Sequence, residues 1–317
     1  SHELTISPHP KSMQNRRNFL KTAGLTAAAG LTISNPLTAA SPVRPAKPGP
    51  RFKTSLAAYS FRKHLPSYRN NATPGKTDLD MAGFIDHAAT LDIDAVEITS
   101  YFLPDPCPRR DAKELHRQSH LLGLDISGGA IGNNFSFPDG PELEKQMAYT
   151  ERWIKTYAAM GAPVIRVFAG YPTTKELSDA DAEKNIIRNL QHACTLAAKH
   201  GVILGVENHD FTTNIDRMER ILAAVDSPWF GLNFDSGNLA KTSDPYGDLK
   251  RIAPHTVNAQ LKIDIPRNGT KEPADFKRIV DILGEANYRG YLVLEYEAED
   301  PFNEVPNYLD QLRTAIG

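Results

Sequence analysis

Four short stretches of this 317-residue chain set acidic or amide side chains at the ends of apolar runs. They read Gly205-Val206-Glu207-Asn208-His209, Asn233-Phe234-Asp235-Ser236-Gly237-Asn238, Ala259-Gln260-Leu261-Lys262 and Leu294-Glu295-Tyr296-Glu297. A further acid lies within Ala95-Val96-Glu97-Ile98. If these runs are neighbouring parallel strands, their polar ends converge on one small volume. Carboxylates held that close repel and raise one another's pKa unless a cation stands among them. Oxygen donors without thiolates favour Mg²⁺ or Mn²⁺ over structural zinc. Glu207, Asp235 and Glu295 are therefore the expected core of a site for one divalent metal ion. A single acid at a strand end is more often a loop or helix-capping residue; the repetition on successive strands is what argues for a shared site.

Other side chains are candidates for substrate contact. His209 follows Glu207 by two, on the same side of an extended strand, and otherwise anchors its loop. Lys262 follows Gln260 by two and can orient a substrate oxygen or pair with Glu295. Glu97 is a contact candidate or else the partner of Arg166, which needs one inside an apolar strand. Tyr59 and Phe61 can form an apolar wall for a bound ring. Phe135 and Phe137 can do the same or pack their loop. Trp153 and Trp229 read as core or rim residues, and residues 68–71 as part of a long loop that can help cover the site.

The elements that must position these groups alternate in period. Strand-like apolar runs are expected at 54–60, 95–99, 125–131, 164–169, 202–207, 231–235, 256–263 and 291–295. Amphipathic helices are expected at 79–91, 111–122, 141–160, 180–200, 214–225, 246–252, 273–283 and 305–316. Gly123, Gly161, Gly201 and Gly290 stand between helix and strand, where a left-handed cap is wanted. Eight repeats predict an α/β fold, a single-domain (β/α)₈ TIM barrel over 51–317, with its chemistry at the C-terminal ends of the strands. A doubly wound sheet is the alternative, but no Gly-rich phosphate fingerprint follows the first strand.

Composition narrows the class. Hydrophobic residues at 40% and charged residues at 23% match a soluble globular chain. A net charge of −2 gives no basic field for nucleic acid. Cys107 and Cys194 fall on separate expected elements, so a disulfide is not expected. Residues 1–50 read as an extension. Arg16 and Arg17, followed by Phe19-Leu20-Lys21, a short Ala/Gly/Thr-rich apolar stretch and small residues at 38–40, resemble a twin-arginine export signal. The apolar stretch is too short for a membrane span, and a Pro-rich linker follows. The expected location is the periplasm. No heptad pattern indicates an oligomeric state.

From 54 to 316 the chain resembles the xylose isomerase-like barrels of the sugar phosphate isomerase/epimerase superfamily. The resemblance rests on 205–209, 235–238 and the Glu295 strand. Pro163-Val164-Ile165-Arg166-Val167-Phe168, Ala95-Val96-Glu97-Ile98 and Gly132-Asn133-Asn134-Phe135 add to it. It implies a metal bound by Glu207, Asp235, Gln260 and Glu295. It also implies that Glu207 and Glu295 act as acid and base on opposite faces of a sugar, through an enediolate. Gln260 stands where the family has His; either its neutral carbonyl ligates, or a water fills that position. An all-oxygen set shifts preference toward Mn²⁺ or Mg²⁺, with Zn²⁺ or Co²⁺ remaining open. Asn238 stands where ketose epimerases place a substrate-binding His. The reading is a metal-dependent isomerase or epimerase of an unphosphorylated sugar or keto-sugar. Alternatives are a lyase or dehydratase on a keto-sugar or keto-glycoside, and a non-catalytic carbohydrate-binding barrel. A barrel nuclease would need more strand-end histidines and a basic groove.

Overall fold

Each apolar run becomes a buried strand, and most of the helices that follow begin at a residue able to cap them. The computed structural model describes residues 52–317. The expected extension over 1–50 lies outside the described residues. In chain order the elements are β1 (Phe52–Ala57), α1 (Met81–Ala88), β2 (Ala95–Thr99), α2 (Arg109–Leu121), β3 (Asp125–Ala130), α3 (Pro141–Met160), β4 (Val164–Val167), α4 (Asp179–Ala198), β5 (Ile203–Glu207), α5 (Ile215–Ala224), β6 (Phe230–Asp235), α6 (Pro245–Ile252), β7 (Thr256–Lys262), β8 (Asp264–Arg267), β9 (Thr270–Pro273), α7 (Phe276–Glu285), β10 (Gly290–Glu295) and α8 (Pro301–Ile316). Eight parallel strands close in the order β1-β10-β7-β6-β5-β4-β3-β2, which is the (β/α)₈ barrel expected.

Period-two alternation sorts the strand residues. Leu204, Val206, Leu232, Phe234, Ala259, Leu261, Leu292 and Leu294 are buried in the apolar layer shared with the helices. Their neighbours Glu207, Asn233, Asp235, Asn258, Gln260, Lys262 and Glu295 point the other way, into the barrel. Register keeps them level: Glu207 pairs with Asn233, Asp235 with Gln260, and Lys262 with Glu295. The β6–β7 register shifts by one residue between Leu232 and Asn233. That bulge inserts Val257 and holds Asp235 and Gln260 in step at the mouth.

Side-chain caps start six of the helices: Asp80, Ser178, Asn214, Asp244, Asp275 and Asp300 each accept a hydrogen bond from a backbone N–H three residues on. Gly123, Gly161 and Gly201 take positive φ as expected. Gly290 does not; Asn287, at φ 56°, makes that left-handed turn. Two helix boundaries also need correction. The helix expected from 273 begins at Phe276, because 264–273 form an antiparallel hairpin of β8 and β9. Its turn, Asn268-Gly269, has positive φ at both residues, a two-residue hairpin signal. The last helix begins at Pro301 rather than 305, where Asp300 caps it. Cys107 and Cys194 are free thiols, both buried.

Candidate functional site

The loops at the C-terminal ends of the barrel strands enclose a cavity of about 510 Å³. Its wall has two halves. Over β5–β7 and β10 stand Glu207, His209, Asn238, Lys262, Glu295 and Glu297. Over β1–β4 stand Tyr59, Arg69, Tyr101, Asn133, Asn134, Arg166, Phe168 and Tyr171. Most of the expected site residues therefore share one cavity.

The acidic half is held by backbone and amide contacts. Asn208 accepts from the Asp235 N–H (2.9 Å) and donates to the carbonyls of Asp235 (2.8 Å) and Asn238 (2.7 Å), tying β5 to β6. Asp235 Oδ1 accepts from the N–H groups of Gly237 (2.8 Å) and Asn238 (3.1 Å). Asp235 Oδ2 has no hydrogen-bond donor, nor has Glu207 Oε2, although both residues are buried. The nearest positive charges are offset: Arg166 Nε lies 3.5 Å from Glu207 Oε2, and Lys262 Nζ lies 3.5 Å from Asp235 Oδ2. Lys262 donates to Glu295 (2.8 Å) and to Glu297 (2.7 Å).

Burial sets the electrostatics. It pushes the Asp235 carboxyl up to about 7, against the pull of Lys262 and with added repulsion from Glu207. Burial also raises Glu207, opposed by Arg166, and Glu295, opposed by Lys262. For Lys262 burial works downward, but Asp235, Glu295 and Glu297 outweigh it and hold the ammonium well above the ordinary lysine range. His209 is lowered by burial. Its ring packs against Phe168 with centroids 4.6 Å apart, and its Nδ1 lies 3.0 Å from Asp210 Oδ2.

Gln260 and Glu97 differ from expectation. The Gln260 carbonyl accepts from Asn233 Nδ2 (2.6 Å), and its amide donates to Glu97 Oε1 (2.5 Å). Asn258 donates to Glu97 Oε2 (2.8 Å). Glu97, fully buried, is absent from the cavity wall; it supports Gln260 and does not pair with Arg166. Burial, with repulsion from Glu295, pushes its pKa up to about 7. Arg166 donates instead to the Ile131 carbonyl (2.8 Å) and leans on Glu207. Phe61 is also withdrawn from the wall: it is buried against Phe84, His87 and Phe302. Phe135 packs its loop and Trp153 the core.

The donor chemistry fits a hard cation at Glu207 and Asp235, since each keeps a buried carboxyl oxygen that receives no hydrogen bond and faces a side-chain cation only at 3.5 Å. Glu295 is already neutralised by Lys262, and Gln260 by its position serves the interior network. As the side chains stand, no three His, Cys, Asp or Glu groups among the described residues are placed to hold an ion. Tyr101, Tyr171 and Gln146 were missed by sequence reasoning. Only Tyr101 carried a signal, as an aromatic two residues beyond the end of β2.

A family model described as the xylose isomerase-like TIM barrel matches residues 85–315. A Haemophilus influenzae protein provisionally named L-ribulose-5-phosphate 3-epimerase is 27% identical over 210 residues, covering 61% of this chain and 72% of that protein. An inosose dehydratase from Lactiplantibacillus plantarum is 24% identical over 280 residues, covering 77% and 86%. The crystal structure of a 3-keto-D-glucoside 4-epimerase from E. coli superposes with a TM-score of 0.62 at 18% identity, covering 84% of this chain and 100% of that one.

Proposed function

The chain belongs to the xylose isomerase-like TIM barrel family, and from that membership we propose a divalent-metal-dependent isomerase or epimerase of an unphosphorylated sugar or keto-sugar. The observation that carries this reading is the pair of buried oxygens on Glu207 and Asp235 that receive no hydrogen bond, beside Glu295, at the C-terminal mouth of the barrel. A divalent ion held by Glu207, Asp235 and a Glu295 released from Lys262 would polarise a substrate carbonyl and acidify the adjacent C–H.

The chain's own residues supply the rest. Glu207 on β5 and Glu295 on β10 are separated by two strands, so they approach a bound ring from different sides. One removes the proton beside the carbonyl, and the other returns a proton to the resulting enediolate. Arg166 and Lys262 supply fixed positive charge next to these carboxylates. His209 and Asn238 border the same space, and in this reading they bind substrate hydroxyls. Both curated relatives carry names of enzymes that act on polyhydroxylated carbon frameworks.

The test is exchange of substrate C–H for deuterium. A panel of keto-sugars in D₂O, followed by NMR, is expected to show exchange by the wild type. Glu207→Gln and Glu295→Gln should each slow it by about 10²-fold or more. No exchange across the panel would leave a carbohydrate-binding barrel without catalysis.

A lyase or dehydratase is the second reading, favoured by the dehydratase relative. It shares the enediolate and then expels a β-leaving group, so a released fragment rather than an epimer distinguishes it. The preference for an unphosphorylated substrate rests on reading Arg16 and Arg17 as part of a twin-arginine export signal. Cell fractionation, with these residues intact or both changed to Lys, tests the periplasmic location.

A further inference from the structure

The β1–β4 half of the cavity has a chemistry that proton transfer does not use. Tyr171, in the loop after β4, leaves 52% of its surface exposed at the cavity rim. It is not a loose side chain. Its carbonyl accepts from Asn134 Nδ2 (3.1 Å) and Ser136 Oγ (2.6 Å). The preceding Gly170 has φ 90°, and a Cβ there would stand 1.9 Å from Asn134 Oδ1. The turn is thus locked onto the loop after β3, and it presents an aromatic ring to water. Asn134 is fixed in turn, its N–H donating to Gln146 Oε1 at 2.8 Å.

From the loop after β1, Arg69 lays its guanidinium 4.4 Å over the Tyr101 ring. No carboxylate lies within ion-pair distance of Arg69 among the described residues. The β1–β4 half of the cavity therefore offers aromatic rings, Tyr101 and Tyr171 among them, the planar cations of Arg69 and Arg166, and fixed amides. It lacks the carboxylates of the opposite half. Exposed aromatic surface beside convergent polar groups marks a binding surface, and sugar rings present C–H faces to such rings.

We propose that Tyr171, Arg69 and Tyr101 form a second-ring subsite, so that the substrate is a glycoside whose reacting ring lies at the carboxylates and whose second sugar ring stacks on Tyr171. This deepens the proposed function and rests on it for the assignment of the inner ring.

The experiment compares a hexopyranose that carries a ketone at a non-anomeric ring carbon with the disaccharide that has the same keto ring as its non-reducing unit. Both are titrated into the full chain by calorimetry and tested for C–H exchange. In the wild type the disaccharide should bind at least tenfold more tightly. Tyr171→Ala and Arg69→Ala should each reduce that advantage to less than twofold, and Tyr171→Phe should keep it. Thermal melts establish that the variants are folded. Equal affinities in the wild type, or an advantage unchanged in Tyr171→Ala, overturn the subsite. If the advantage behaves as expected but neither sugar exchanges hydrogen, the subsite stands and the isomerase reading falls. Binding of neither sugar overturns both.

Discussion

Lys262 brings a positive charge against Glu295 and Glu297 and within 3.5 Å of Asp235, where a divalent ion would compete for the same oxygens. Removing one partner of a buried charge cluster leaves the others uncompensated, typically at a cost of about 3–5 kcal/mol. Lys262→Met is therefore expected to melt well below the wild type without added metal. It should also bind Mn²⁺ at least tenfold more tightly by calorimetry, with the lost melting temperature largely restored. Equal Mn²⁺ affinity in the two proteins would mean that the lysine and the ion do not share a place. The three acids were legible because each ends an apolar run. The orientation of Gln260 was not legible. It depends on Asn233 and Glu97, which are 27 and 163 residues away in sequence and meet it only inside the closed barrel.

At the scale of elements, periodicity and capping predicted the eight strand-helix units, and departures occurred where local signals competed. Asn268-Gly269 is a hairpin turn by its chemistry, yet it lies inside a connection that an α/β repeat leads one to read as loop. Close packing of α3 on the barrel was beyond sequence reading. A Cβ on Gly129 would fall 2.1 Å from the Tyr157 ring. The Tyr157 hydroxyl donates to the Ile98 carbonyl (2.8 Å) and accepts from the Ala130 N–H (3.3 Å), so the ring cannot retreat without losing both. Gly129→Ala should destabilise the protein by about 1–3 kcal/mol or more, measured by urea unfolding. A loss within 0.5 kcal/mol of zero would show that α3 can shift freely.

At the scale of the molecule, the barrel closes by pairing β1 with β10, and a seam of rings covers that junction. His87 of α1 packs between Phe61 and Phe302, with centroids 5.3 and 5.2 Å away, and its Nε2 has no hydrogen-bond partner. Burial lowers its pKa below the ordinary value of 6.5. The neutral ring thus contributes stability that is fully present above about 6.5 and is lost as pH falls through the lowered folded value. Unfolding free energy of the wild type, measured against His87→Leu, should fall between pH 7.5 and 5. A constant difference over that range would remove His87 from the acid response.

The sequence by itself determined the repeat, the strand ends and the acids Glu207, Asp235 and Glu295, because period and residue type are local properties of the chain. It also carried the departure at position 260. Only the tertiary structure decided that Glu97 lies beneath the site, that Lys262 stands among the carboxylates, and that Tyr171 is held open to the cavity. Each of these depends on register and loop-to-loop hydrogen bonds between segments far apart in sequence, and no local pattern records which side chains will meet there.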